Sequence, residues 1–178
     1  MLVNIQRTGS VEVPLPKYQT EGSAGFDLHA AIESQVMIWP AILKPHDSDM
    51  VVTRVNNWKL IPAGFSIEIP PGCEGQIRPR SGLALKHGIS IVNSPGTIDS
   101  DYRGPIGVII INHGSEVFII NPLDRIAQMV ISPVLQAHFV MVESLTDTER
   151  GDGGFGSTGF QGAIGNQGFV KYGEKSQL

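Results

Sequence analysis

The run Phe65-Ser66-Ile67-Glu68-Ile69 alternates apolar and polar side chains with a period of two, which sets Phe65, Ile67 and Ile69 on one face of an extended strand and turns that face to a core. Similar short β-favouring runs recur at 51–55, 89–92, 108–111, 117–120, 126–131 and 138–142, and Gly, Pro, Asn or Asp punctuates most of the gaps. Many short strands between turn residues predict an all-β sandwich or barrel. The 21 glycines and 12 prolines agree, because they favour turns and interrupt helices. The one helix expected is a turn or two beginning near Ser81, in Ser81-Gly82-Leu83-Ala84-Leu85-Lys86, too short to organise a fold. From Gly151 onward glycine recurs without aliphatic periodicity, so this stretch cannot build a core and reads as a flexible C-terminal arm. The expected organisation is one folded domain over 1–149 and an arm over 150–178, without internal repeats.

Several functional classes are excluded early. A net charge of −4 without a Lys/Arg cluster argues against a nucleic-acid partner, which requires many phosphates to be neutralised together. No apolar run approaches the ~18 residues of a membrane helix, and the N-terminus lacks the basic-then-apolar order of a secretory signal. A soluble, cytoplasmic protein with no membrane partner is therefore expected. Cys73 is the only cysteine, which rules out a disulfide framework or a cysteine-based zinc site within one chain. The five histidines, at 29, 46, 87, 113 and 138, have no metal-ligand spacing. Neither a G-x-x-x-x-G-K-S/T loop nor a strand-linked G-x-G-x-x-G is present, so a nucleotide site here needs another design.

Three segments carry candidate chemistry. Asp99-Ser100-Asp101-Tyr102-Arg103-Gly104 begins like a calcium loop, but Arg103 and Ile110 fall at the fifth and twelfth positions, where oxygen ligands are required. Taken bare, its aspartates read as turn residues bonding their own backbone. Pro79-Arg80-Ser81-Gly82 brings a guanidinium, a hydroxyl and a pliant backbone to the start of the short helix; this suits a phosphate, and equally an ordinary helix cap with a surface arginine. Arg150-Gly151-Asp152-Gly153-Gly154-Phe155-Gly156-Ser157-Thr158-Gly159 joins a cation, a lone aromatic and two hydroxyls through glycines, as either a phosphate flap or a linker.

Taken together, five ordered segments resemble the five motifs of the homotrimeric dUTPases: Ala24-Gly25-Phe26-Asp27-Leu28, Pro79-Arg80-Ser81-Gly82-Leu83-Ala84, Asn93 to Gly104, Asp124-Arg125-Ile126-Ala127-Gln128, and Arg150 to Gly159. The resemblance runs from about Val13 to Gly159. It implies a jelly-roll-like β barrel, a homotrimer whose active sites draw motifs from all three chains, and hydrolysis of dUTP to dUMP and pyrophosphate. In such enzymes the reaction supplies dUMP for thymidylate synthesis and keeps uracil out of DNA. By the same resemblance Asp99 is the general base for the attacking water, Tyr102 packs on the deoxyribose and excludes a 2′-hydroxyl, and Asn93, Thr97 and Ile98 read the uracil edge. Arg80, Ser81, Gly82 and Gln128 hold phosphate oxygens, and Phe155, Gly156, Ser157 and Thr158 close over the substrate with Arg150. Mg2+ is expected on the triphosphate, with Asp27 touching its water shell.

Between Ala31 and Pro62 the chain looks longer than that family requires, and an insert over about 38–60 is expected. The homologous dCTP deaminase is the alternative enzyme. Against it, Gly82 and Leu85 stand where its R-S-S-x-A-R pattern needs Ser and Arg, and Asn112 stands where it needs a glutamate. Zinc deaminases require a P-C-x-x-C pair that one cysteine cannot supply. A nucleotide-regulated binding protein is the alternative of a different class.

Overall fold

The computed structural model describes residues 1–41 and 56–154. The chain divides into two units, Met1–Gln136 and Ala137–Leu178. The division falls after Gln136, upstream of the position near Arg150 where the glycine content changes.

The described part of the first unit holds eleven strands and one short helix: β1 Asn4–Arg7, β2 Phe26–His29, β3 Val36–Ile38, β4 Trp58–Pro62, β5 Phe65–Glu68, β6 Cys73–Arg78, α1 Ser81–His87, β7 Ile89–Ile91, β8 Gly96–Ile98, β9 Gly107–Asn112, β10 Phe118–Ile120 and β11 Arg125–Pro133. Every pairing is antiparallel, and strands distant in sequence lie side by side: β2-β11-β6-β8, β4-β9-β7, β1-β5 and β10-β3. This is the jelly-roll-like β architecture expected, built from four sheets around a common core.

The alternation seen in the sequence shows directly in burial. In β9 Val108, Ile110 and Asn112 point inward and are buried, while Gly107, Ile109 and Ile111 are less so. Leu28, Ile38, Ile61, Ile69, Ile106, Ile120 and Met129 complete the centre. Asn112 is the polar exception. Its amide donates to the carbonyls of Ile38 (2.9 Å) and Glu116 (2.8 Å), and its side-chain oxygen accepts from the Gly114 N–H at 2.8 Å. Burial of that amide is tolerable because its hydrogen-bonding groups are matched, and it sutures β9 to β3 and to the following loop.

β11 breaks the alternation. Ile126 and Ala127 are both buried because a bulge between Arg125 and Ala127 shifts the register against β2. The bulge turns Arg125 and Gln128 to the same pocket, which an unbroken two-residue period would forbid for residues three apart.

Helix α1 begins at Ser81, but the expected serine cap is not made: Arg80 is the N-cap residue, extended at φ −88°, and no side chain caps the helix. Gly88 ends it at φ 67°, with its N–H donating to Ala84 O. Only glycine fits there, since a Cβ would lie 2.7 Å from the Gly114 nitrogen.

Trp58, Lys59 and Leu60, at the end of the expected insert, open β4 and pair with Ile111, Ile110 and Ile109. The strand expected at 51–55 lies outside the described residues. One sequence expectation needs correction. The strand expected at 138–142 is absent, and Phe139 and Met141 are 95% and 96% exposed. β-favouring side chains do not make a strand without a neighbouring backbone to pair with, and no ladder among the described residues includes this segment. In the second unit Gly151 N–H and Gly153 N–H close turns on Thr148 O and Arg150 O.

Candidate active site

Two pockets in the first unit collect most of the residues singled out by sequence. The first has a volume of about 330 Å³ and is walled by Asn93, Thr97, Ile98, Asp99 and Tyr102 over a floor that includes Ile77 and Ile91. β8 forms one wall by pairing Gly96, Thr97 and Ile98 with Ile77, Gln76 and Gly75 of β6. Gly96 packs closely here: a Cβ would lie 3.2 Å from the Asn93 side-chain amide, which would have to shift by a few tenths of an ångström. Asp99 follows β8 directly, exposed, and among the described residues its carboxylate carries no hydrogen bond or ion pair. A free carboxylate at the lip of a cavity with an apolar floor is placed to accept a proton. Tyr102 stands opposite, its hydroxyl donating to Pro105 O at 3.2 Å, and a Cβ on Gly104 would strike that hydroxyl. The hydrogen bond orients the ring, and the bare Gly104 leaves room for it, giving this pocket an aromatic wall.

The second pocket, about 360 Å³, is polar and electrostatic in character: Asp27, Arg80, Ser81, Gly82, Arg125 and Gln128 line it. Asp27, on β2, accepts ion pairs from Arg80 Nε at 3.0 Å and Arg125 Nη1 at 3.2 Å. Arg80 Nη1 also donates to Arg125 O at 3.0 Å, and Gln128 Nε2 donates to Pro79 O at 2.9 Å. Two guanidinium groups against one carboxylate leave an excess positive charge. Each guanidinium has five N–H donors, most of them still uncommitted among the described residues. Such a pocket suits an anion with several oxygens. Gly25 lets β2 approach closely, since a Cβ would sit 2.9 Å from Met129 O. His29, two residues along β2 and paired with Arg125, has its imidazole held below the ordinary value of 6.5. Burial is the main cause; Asp27 opposes it, while Arg125 and Arg80 reinforce it.

The two pockets share no lining residue. Arg150 lies in the second unit, its Nε donating to Gly153 O at 2.8 Å. Phe155, Gly156, Ser157 and Thr158 lie outside the described residues. Arg125, Gln19 and Ser23 also line the second pocket and were given no role from sequence. Arg125 stood within the fourth motif, but nothing in the residue order announces the bulge that aims it. Asn112 is sealed in the core and lines neither pocket.

A dUTPase family model matches residues 11–159. The deoxyuridine 5′-triphosphate nucleotidohydrolase of Chlamydia pneumoniae is 56% identical over 146 residues, covering 82% of this chain and 90% of its own. Among solved structures, the dUTPase of Staphylococcus bacteriophage 80alpha with dUPNHPP is 24% identical with a TM-score of 0.73, covering 89% of this chain and 98% of that one. A mutant dUTPase from phage phi11 of S. aureus, described with a structural Mg(II) ion, is 21% identical with a TM-score of 0.67, covering 83% and 100%. At that identity the two phage structures speak for the fold. The chain belongs to the dUTPase family.

Proposed function

We propose that this enzyme, a hydrolase that converts dUTP to dUMP and pyrophosphate, binds deoxyuridine in the Asn93–Tyr102 pocket and the triphosphate against guanidinium-lined surfaces like that around Arg80. The observation that carries this is the convergence of Asn93, Thr97, Ile98, Asp99 and Tyr102 on one cavity, with a carboxylate at its rim that is unpaired among the described residues. Asp99 takes a proton from the water that attacks the α-phosphorus, in line with the departing pyrophosphate. The Tyr102 ring meets the deoxyribose where a 2′-hydroxyl would stand, so UTP is refused by exclusion. Asn93, with Thr97 and Ile98, reads the uracil edge, and the closeness of these walls refuses the methyl group of thymine.

Arg80, Ser81, Gly82 and Gln128 take the phosphate oxygens and stabilise charge on the leaving group. Asp27 orients Arg80 and Arg125 through its two ion pairs. Among the described residues there is no group of three His, Cys, Asp or Glu that would cage a cation, and both Asp27 oxygens already face guanidinium groups. This donor set fits Mg2+ carried by the triphosphate, with Asp27 in reach of its waters rather than as a direct ligand. When bound, the ion would neutralise phosphate charge and order the chain of oxygens. Arg150 and the residues 155–158 serve as the closing arm.

The active form is a homotrimer. In support, the two pockets of one chain have no residue in common, which fits a substrate held by Asp99 of one chain and Arg80 of another. The cytoplasm is its compartment, where it supplies dUMP for thymidylate synthesis and keeps uracil out of DNA; among the described residues no helix is long and apolar enough to cross a membrane. The deaminase alternative lacks comparable support: Asn112, at the position where a deaminase needs its glutamate, is consumed by core hydrogen bonds. Pyrophosphate release from dUTP, dCTP, dTTP and UTP with Mg2+ tests the reading. Fast release confined to dUTP, reduced by about 10²–10⁴-fold in Asp99→Asn, is expected for loss of a general base. Undiminished release by Asp99→Asn would refute the assignment of the base.

A further inference from the structure

The turn between Asp99 and Tyr102 carries both the proposed base and the proposed sugar wall, yet its own closure is modest: Tyr102 N–H donates to Asp99 O at 3.2 Å. What secures it comes from the next residue. Arg103 Nη1 donates to Ser100 O at 2.7 Å and to Tyr102 O at 2.9 Å, spanning the turn. Arg103 Nη2 reaches Glu68 Oε1 at 3.3 Å, at the end of β5. The other Glu68 oxygen accepts from Asn4 Nδ2 at 2.7 Å, and Asn4 and Glu68 are register partners across β1 and β5. Farther along the same segment, Ile106 N–H donates to Phe65 O at 3.0 Å, at the opposite end of β5.

We infer that Arg103 is a positioning residue for the reaction: it fastens the Asp99–Tyr102 turn to β5 through Glu68, with Asn4 fixing the carboxylate. The inference rests on the reading of Asp99 and Tyr102 given above. A guanidinium suits this role because its planar fork can grip carbonyls and a carboxylate together, whereas a lysine ammonium offers one compact charge. The carboxyl of Glu68 lies below the usual carboxylate range, first through the Asn4 hydrogen bond and then through the Arg103 charge, so the anchor stays ionised near neutral pH. Arg103 and Glu68 side chains are 52% and 50% exposed, and ion pairs that open to water contribute little to folding. The contacts therefore serve placement more than stability. Misplacement of reacting groups by about 1 Å can cost on the order of 10²-fold in rate.

The test compares Arg103→Ala, Glu68→Ala, Arg103→Lys and the Arg103→Ala/Glu68→Ala double variant with the unmodified full-length protein, measuring kcat and KM for dUTP and UTP and the thermal midpoint. The expected result is a fall in kcat of about tenfold in each alanine variant and a smaller dUTP-to-UTP preference. The double variant should lose less than the product of the single losses, because the two residues act through one tether. Arg103→Lys should restore only part of the loss, and thermal midpoints should stay within about 2 °C. Turnover and preference within about twofold of the unmodified protein in both alanine variants would overturn the inference, as would a loss that merely tracks a lowered midpoint. Asp99→Asn, assayed alongside, separates the two levels: if it is inactive while the alanine variants are unimpaired, only this inference fails, and if it remains active, the reading beneath it fails as well.

Discussion

The two pockets of the first unit are built in opposite ways. The Asp99 pocket is formed largely by one stretch of chain, Asn93 to Val108, over an apolar floor, and among the described residues its carboxylate is left unpaired. The Arg80 pocket gathers Asp27, Arg80, Arg125 and Gln128 from separated segments, and its single carboxylate is doubly paired. A continuous stretch of chain fixes shape and so suits discrimination between bases and sugars. A set of cross-strand ion pairs fixes the placement of charge and so suits phosphate. The difference predicts which kinetic parameter each side controls.

Apart from loss of the base itself, the largest effect should come from the charged side. Arg80→Ala removes a phosphate donor and leaves Asp27 with Arg125 alone, and kcat/KM for dUTP should fall by about 10²–10³-fold with the dUTP-to-UTP ratio nearly unchanged. A comparable change in that ratio would erase the division of labour. Next in size is the core suture between β9 and β3. Asn112→Ala strands the Ile38 and Glu116 carbonyls and should cost about 2–3 kcal/mol in urea unfolding, while substrate preference persists in the folded fraction. On the Asp99 side, Tyr102→Ala should lower the dUTP-to-UTP preference by about 10–100-fold, mainly by admitting UTP. If dUTP turnover collapsed and UTP remained excluded, Tyr102 would not be the selecting wall.

The smallest effect concerns His29, beside the charged pocket. Its folded-state value is depressed, so the unfolded chain binds the proton more readily. The stability this contributes is complete above the ordinary value of 6.5 and is lost as pH falls below it toward the lower folded value. His29→Gln should flatten that acid-side decline in denaturation midpoint between about pH 7 and pH 5. An unaltered slope would mean that other groups cause it.

The same contrast explains what could be read without coordinates. Most of the Asp99 pocket is contiguous in sequence, so Asn93, Thr97, Asp99 and Tyr102 were visible as one motif before their geometry was known. The alternations in β5 and β9 likewise announced which residues face the core. Arg125 was not legible as a pocket residue, because its orientation depends on a bulge and the bulge on pairing between β11 and β2. The segment 138–142 misled in the reverse direction: its composition favours a strand, but strand formation is decided by a partner that composition does not reveal. The Arg103–Glu68 tether links residues 35 positions apart that only the fold brings together.

The most direct test of the account is complementation between two inactive variants. Asp99→Asn and Arg80→Ala chains are unfolded together in equal amounts, refolded, and assayed for pyrophosphate release from dUTP. If the base and the phosphate pocket of each active centre come from different chains, mixed assemblies regain about a quarter of the unmodified rate, the fraction of centres that receive both intact halves by random assembly. Refolded mixtures that are trimeric but no more active than either variant alone would contradict the account, placing Asp99 and Arg80 of the same chain in one centre.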